Sequence, residues 1–490
     1  MFTKFKYSRL NQDTETLKLV PSAPTLNRRS RFRLFIYLFI AFIFFYHNPF
    51  NSSKSQRKRK VKTKDIFKHL DSFYSIALAH DNSRSTINGY PQVAKYVISK
   101  LEKHDVCTPK IQKFKVPLWA ELGPPTLELV SGSEKIHFIP NTDFGYHRYG
   151  GSSASLNEKD FLFLKNGGCY ISDDLVLIST PPTAKKPSAA RVRIVDWKEG
   201  DPLVSIPVLS ITHSTFQTIK HSKESKLNMI VDSRIDVVET FNVLCEGKYG
   251  NRNNTIVVGS HLDSVAFGPG INDNGSGAAS TLAIAIHFSK NHYRPKNRLV
   301  FAWWGSEEDG LLGSRHFVRD LVEKDEARNI KSQKSDQEID ISYKEIAMNL
   351  NFDMLASPNY IPFIHNGTDA PNNARCGSER IQHIFQKYFM HIKKNYKITD
   401  MIGGSDFLPF ILNSIPSGGL LTGASEIKTE EERLLFGGMA NAPLDPCYHK
   451  YCDTIKNINK DALKLMSNGA LYSILHFSNS EDLRADLQKC

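Results

Sequence analysis

Residues 256–263 read Ile256-Val257-Val258-Gly259-Ser260-His261-Leu262-Asp263. Three β-branched residues in a row predict a short buried strand, and the chain leaves it directly into a histidine and an aspartate. The pattern recurs. The apolar run Leu299–Trp304 leads through Gly305-Ser306 to Glu307-Glu308, and Asn349-Leu350-Asn351-Phe352 leads to Asp353. Between the first two lies Ala278–Phe288, a run of small and apolar residues that predicts a helix. Strands alternating with helices predict an α/β, three-layer domain around a central, mostly parallel sheet, whose functional residues sit at the carboxyl ends of strands.

Working outward, residues 119–236 differ in texture. Short apolar runs (Phe161–Leu164, Leu175–Ile178, Val192–Val195) are broken by Gly, Pro and Lys, which predicts a β-rich domain inserted into the first. Asp65 to His104 carries a helical pattern, and Pro109 to Pro117 reads as a strand. Residues 65–118 are therefore the N-terminal part of the main domain and 237–490 its larger part. The charged stretch Lys324 to Lys344 reads as a solvated surface insertion.

The net charge of the 490 residues is +12. Residues 1–64 hold 15 Lys and Arg against Asp13 and Glu15, a net +13, so the other 426 residues sum to −1. The basicity belongs to the tail, which excludes an electrostatic case for nucleic-acid binding by the body. Leu34 to Tyr46 is an unbroken apolar run, extended to about 19 residues by Phe32 and the stretch to Phe50. It predicts an uncleaved signal anchor over 34–50, after a cytoplasmic tail (1–33) and before a basic stalk (51–64). Basic residues flank the run on both sides, so charge does not orient it; the sequons and a possible disulfide do, and predict a lumenal or extracellular body: a single-pass type II membrane protein of a vacuole- or lysosome-like organelle or the cell surface. The sequons at Asn253, Asn274 and Asn366 fit that side, with Asn253 and Asn366 as glycosylation candidates. Seven cysteines leave at least one unpaired within the chain; Cys447 and Cys452 are close enough to bridge a tight loop or to stay as two thiols.

The candidate site residues are His261, Asp263, Asp273, Glu307, Glu308, Asp353 and, near the end, His449 beside Tyr448. Each alone has a plainer reading: a turn pair, a solvated acidic turn, a helix cap. Together, histidines and carboxylates at strand ends suit zinc. Two histidines and three carboxylates exceed what one catalytic zinc takes and suit two ions sharing a carboxylate. Adjacent Glu307 and Glu308 divide naturally into a free base and a ligand.

The series His261-x-Asp263, Asp273, Glu307-Glu308, Asp353, His449 resembles that of the co-catalytic di-zinc aminopeptidases, the group of vacuolar aminopeptidase Y and bacterial leucyl aminopeptidases. The resemblance covers 65–118 and 237–475, and residues 119–236 resemble, more weakly, the protease-associated domain such enzymes carry. It implies two zinc ions bridged by Asp273, one held by His261 and Asp353, the other by Glu308 and His449. Glu307 would be the general base acting on a metal-bridging hydroxide. Asp263 would fix the His261 imidazole, and Tyr448 would donate to the oxyanion. A Cys447–Cys452 bridge would clip the loop presenting Tyr448 and His449. The run Gly403-Gly404-Ser405-Asp406 lacks the basic residue many relatives have before Ser-Asp, which bears on substrate binding. Leu420 and Leu421, in the segment Gly419–Ala424, either line an apolar pocket or pack in the core.

The implied activity is hydrolysis of the N-terminal peptide bond of peptides or proteins. The partners are then peptide N-termini and a membrane, not nucleic acid. Two alternatives are a glutaminyl-cyclase-like single-zinc enzyme, which lacks the inserted domain, and a non-catalytic receptor with a peptidase fold, which would have lost ligands.

Overall fold

The computed structural model describes residues 60–146, 149–159, 169–172, 175–179, 197–203, 205–222, 225–327, 341–401 and 404–490. The anchor expected at 34–50, with its tail and most of its stalk, lies outside them, as do the runs 161–164 and 192–195. Among the described residues no helix is long and apolar enough to cross a membrane.

The expected helical stretch from 65 to 104 is two helices, α1 (Thr63–Leu78) and α2 (Tyr90–Lys103). Ile66, Leu70, Phe73 and Ala77 recur on one face of α1 and are buried, as are Val93, Val97 and Leu101 on α2. The break at 79–89 is where Asp81 and Asn82 take left-handed backbone, each with φ 54°. Gly89 closes the turn, because a Cβ there would lie 2.4 Å from the Ser83 carbonyl.

Strand β1 (Lys110–Glu121) then leaves the main body. The next elements are β2 (Thr126–Ser131), β3 (Glu134–His137), β4 (Phe144–Tyr146), β5 (Ser153–Lys159), β6 (Cys169–Ser172), β7 (Leu175–Ser179) and β8 (Val208–Ile211). Helix α3 (His213–His221) and β9 (Lys226–Val231) follow. They form two four-stranded sheets, β3-β2-β9-β5 and β4-β8-β7-β6. Leu127, Leu129, Phe144, Leu209, Leu227 and Met229 share a core of their own. Strand β10 (Ser233–Glu246) returns to the body, antiparallel to β1 from Glu121 opposite Ser233 to Lys110 opposite Leu244. The expected domain limits fall inside this ribbon, where Leu118 faces Asp236.

The body continues with β11 (Asn251–His261), α4 (Gly277–Lys290), β12 (Asn297–Trp304), α5 (Leu312–Ala327), β13 (Ile346–Phe352) and β14 (Phe363–His365). After these come α6 (Asn372–His391), β15 (Lys397–Thr399), α7 (Leu408–Leu412), β16 (Ser417–Leu421), α8 (Glu430–Phe436), α9 (Lys460–Ser478) and α10 (Leu483–Asp486). The main sheet runs β1-β10-β12-β11-β13-β16-β14-β15. Its centre, β12-β11-β13-β16, is parallel. Its edges are not: β1 and β10 form an antiparallel ribbon, and β14 runs against β16. The sheet is therefore mixed, because a ribbon that leaves and re-enters at one edge must reverse direction.

Alternate residues of the central strands feed two layers. Ile256, Val258, Phe301, Trp303 and Leu350 pack among residues of α1, α2, α4, α6 and α9. Val257, Val300, Ala302 and Trp304 pack against Phe317 and Leu321 of α5 and Phe410 of α7. All eight residues of β12 are buried, which explains its continuous apolar run.

Three disulfides form: Cys107–Cys245, Cys376–Cys490 and Cys447–Cys452. Of the stretch Lys324 to Lys344 expected as a solvated insertion, the first residues form the last turn of α5 and Ile341 is 1% exposed, packed with Phe317 and Leu321; residues 328–340 lie outside the described part. Asn253 is exposed at the start of β11. Asn366 accepts from Thr368 and donates to Asp369 at 2.9 Å. Asn274 is fully buried, so its sequon has no accessible acceptor.

Candidate metal centre

Sheet register builds the first half of the site. Gly259 on β11 lies opposite Asn351 on β13, and two residues further each strand ends beside His261 and Asp353. On the other flank His261 pairs with Trp304 of β12, after which Ser306 turns the chain to present Glu307 and Glu308. Left-handed backbone at Ser306 (φ 54°) before Glu307, at Met354 (φ 51°) after Asp353 and at His449 (φ 57°) concentrates strain around these residues, about 1–3 kcal/mol per position.

Asp273 comes from the loop entering α4, which its own asparagines hold. Asn274 donates to the Phe352 carbonyl at 2.9 Å and accepts from Gly277 and Met354. Asn272 donates from its amide side chain to Asp445 at 2.6 Å. The backbone N–H groups of Asn272 and Asp273 donate to Asp453, at 2.9 and 3.0 Å. His449 lies on the loop between these two carboxylates. Asp445 accepts from Cys447 at 2.8 Å, Asn457 bridges Asp445 and Asp453, and the Cys447–Cys452 bridge closes the loop. Tyr448 stacks on His449 with centroids 3.8 Å apart.

The side chains converge as two groups that share Asp273: His261, Asp273 and Asp353, and Asp273, Glu308 and His449, each with ligand atoms within 4.8 Å of one another. His261 Nε2 is 3.3 Å from Asp273 and 3.4 Å from Asp353. His449 Nε2 is 3.1 Å from both Asp273 and Glu308. Glu307 stands beside them, 4.0 Å from His261 Nε2, and belongs to neither group. Glu308 Oε1 and Asp353 Oδ1 are buried without a hydrogen-bond partner, the state expected of atoms that face a cation.

Electrostatics point the same way. Burial would lower both histidines, yet Asp353 and Glu307 raise His261 well above its ordinary value, and hydrogen bonds to Asp273 and Glu308 carry His449 to about 10. Burial would raise Asp273, but the two imidazoles hold it below the usual carboxylate range. Burial and then Asp273 lift Glu308 to about 7. Burial lifts Glu307 well above the normal range, against the pull of His261. Such a site draws positive charge to its centre.

Asp263 differs from expectation in detail. Its carboxylate is 3.6 Å from His261 Nδ1, beyond hydrogen-bond length, because it accepts from the backbone N–H groups of Glu307 and Glu308 at 3.1 Å each. The Asp263 backbone carbonyl, 3.2 Å from Nδ1, is the atom placed to accept the ring proton and leave Nε2 as ligand.

A cavity of about 580 Å³ opens over the centre, lined also by Tyr448, His365, Phe407 and Leu421, and by Tyr149 from the connection between β4 and β5. Leu420 is buried in the core, so the two leucines divide: one packs, one lines the cavity. Burial pushes the Tyr448 hydroxyl far above its ordinary value, with Asp273 adding to it, so it is a proton donor at neutral pH. Gly404 and Ser405 also line the cavity, while Gly403 lies outside the described residues. Ser405 donates to Asp353 at 2.7 Å and accepts from Asn351 at 2.8 Å, a supporting role that the motif alone did not reveal.

The sequence model of peptidase family M28 matches residues 242–474. The probable lipoprotein aminopeptidase LpqL of Mycobacterium tuberculosis is 33% identical over 448 residues, 85% of this chain and 85% of that one. An aminopeptidase of Pseudomonas aeruginosa is 39% identical over 269 residues, 54% of this chain and 47% of the relative, so the chain spans about half the length of the first curated relatives it matches. Among solved structures, the aminopeptidase from Aneurinibacillus sp. strain AM-1 aligns with TM-score 0.60 at 18% identity, over 87% of this chain and 96% of that one. A zinc aminopeptidase from Bacillus subtilis aligns with TM-score 0.54 at 18% identity, over 87% and 97%. The structural likenesses share the fold. The chain belongs to peptidase family M28.

Proposed function

We propose that this chain is a zinc metallo-aminopeptidase that hydrolyses the N-terminal peptide bond of peptides or proteins. The observation that carries the reading is the pair of three-residue ligand groups sharing Asp273 at the floor of an open cavity. His261 and Asp353 would hold one zinc, Glu308 and His449 the other, with Asp273 common to both. A second complete group supports two ions over a single-zinc cyclase, and retention of all five ligands supports an enzyme over a receptor. The names of the relatives support an aminopeptidase.

Zinc, when bound, supplies Lewis acidity for the substrate carbonyl and for the attacking water. Glu307, outside both ligand groups, takes a proton from that water and returns it to the leaving amine. Tyr448, at the cavity wall and protonated, donates to the developing oxyanion. The Asp263 carboxylate anchors the Glu307-Glu308 turn, so that base and ligand keep their separate directions.

In this reading residues 65–118 and 237–490 form the peptidase domain and 119–236 a protease-associated insert. The segment 34–50 is a signal anchor with a lumenal or extracellular body. The three disulfides support an oxidising compartment, and exposed Asn253 supports one where glycans are added.

The test is zinc content together with hydrolysis of aminoacyl arylamides by the full chain, with and without a chelator. The expected result is close to two zinc per chain and chelator-sensitive release of the N-terminal residue. Glu307→Gln should keep the zinc and lower the rate by roughly 100-fold to 10,000-fold, the range for a lost general base. No zinc, or a Glu307→Gln rate near wild type, contradicts the reading.

A further inference from the structure

Arg84 lies in the turn between α1 and α2, 178 positions before Leu262, and is fully buried. A guanidinium taken out of water usually meets a carboxylate or phosphate. Here its hydrogen bonds go to backbone carbonyls. Nε donates to Pro269 at 2.7 Å, Nη1 to Leu262, and Nη2 to Gly270 and, at 3.4 Å, to Asp273. The Arg84 backbone joins the same knot: its N–H donates to Ser264 Oγ at 2.9 Å, and its carbonyl accepts from the Ser264 N–H at 3.3 Å.

These carbonyls belong to two loops. Leu262 follows His261; Pro269 and Gly270 lead into Asp273. A planar fork whose five N–H groups are spread over three nitrogens reaches carbonyls on both loops from one stem, whereas the three donors of a lysine share a single nitrogen. The surroundings are shaped to admit it. A Cβ on Gly270 would lie 2.9 Å from Nη2, and the Phe73 ring lies 5.9 Å from the guanidinium carbon. Burial lowers the guanidinium to about 10, opposed by Asp263, Asp453, Asp273 and Glu308, so it remains a cation at neutral pH beside the carboxylates of the centre.

We propose that Arg84 is a positioning residue for the metal centre: its fork ties the His261 loop to the Asp273 loop and so fixes the spacing of those two ligands. This rests on the metal reading above. A fork that only stapled the fold would set stability. One that spaces ligands also sets how tightly the folded protein holds its ions.

The test compares the full chain with Arg84→Lys, which keeps the charge and loses the fork, and Arg84→Met. Zinc affinity is read by competition with a chromophoric chelator, and the visible spectrum is recorded after cobalt replacement. The thermal transition is measured with and without zinc. Both variants should bind zinc about 10-fold to 100-fold more weakly, the range for groups that orient ligands. The cobalt spectrum should change, and the zinc-induced rise in Tm should shrink even where the metal-free Tm is kept. Wild-type affinity and spectrum in both variants, with only a lower metal-free Tm, overturn the proposal. If neither variant folds, Ser264→Ala, which removes only a hydroxyl from the knot, decides: several-fold weaker zinc at unchanged metal-free Tm supports it, and unchanged affinity overturns it. Wild type without zinc overturns the metal reading, and this one with it; wild type with zinc beside unaltered variants overturns this one alone.

Discussion

His261 and His449 approach the same carboxylate from opposite sides, 3.3 and 3.1 Å from the two oxygens of Asp273, but they are held in different ways. His261 is the last residue of a central strand and is 1% exposed; its position follows from the register of β11 with β12 and β13. His449 belongs to an irregular loop, and its side chain is 34% exposed. Its position depends on a disulfide between cysteines five positions apart and on the Asp445–Asn457–Asp453 network. One half of the site is set by the sheet, which cannot shift without disturbing two cores. The other is set outside the sheet, by a local clip of one disulfide and a buried polar network.

The largest expected effect removes the comparison. Asp273→Asn takes away the shared carboxylate, so both ions should be lost, with zinc near zero per chain and activity at background. Retention of one tightly held ion would show that the halves are independent. Next, His449→Ala and His261→Ala should separate the halves. Metal analysis of His449→Ala should give about one zinc per chain, held by the strand-borne half, in a protein of near-normal Tm. His261→Ala should also lose Tm, because it leaves a buried gap and an unpaired Asp353. Equal behaviour of the two variants would remove the distinction. The smallest effect sharpens it: the double change Cys447→Ser, Cys452→Ser should weaken one zinc by about 10-fold, as loss of ligand support does, and leave the other unchanged. Weakening of both by the same factor would mean that the clip acts on the whole centre.

The same contrast governs what the sequence discloses. The strand-end ligands were legible, because an apolar run fixes a strand and the residue after it then has a known place. His449 and Tyr448 follow no strand, and their roles come only as what the family resemblance implies. The parallel centre of the sheet was legible; its antiparallel edges were not, since nothing in β1 or β10 alone states that they pair over their full length. Arg84 was missed because its partners are backbone carbonyls, which leave no residue pattern. Asp445 escaped for a related reason, as a buried polar residue whose partner Asn272 lies on a loop distant in sequence, and Asn457 because its bonds to Asp445 and Asp453 cross an irregular loop with no periodic pattern. The turn at 79–89 was hidden because the apolar spacing on either side continues a helical period, although Asn88-Gly89-Tyr90-Pro91 is a turn signal in plain view.

The central claim is that two zinc ions share Asp273. An anomalous difference map at the zinc absorption edge, from crystals of the zinc-loaded protein, tests it most directly. The account predicts two peaks about 3.5–4 Å apart, one beside His261 and Asp353 and the other beside Glu308 and His449, with Asp273 between them. A single peak, or two peaks of which one does not touch Asp273, would contradict it.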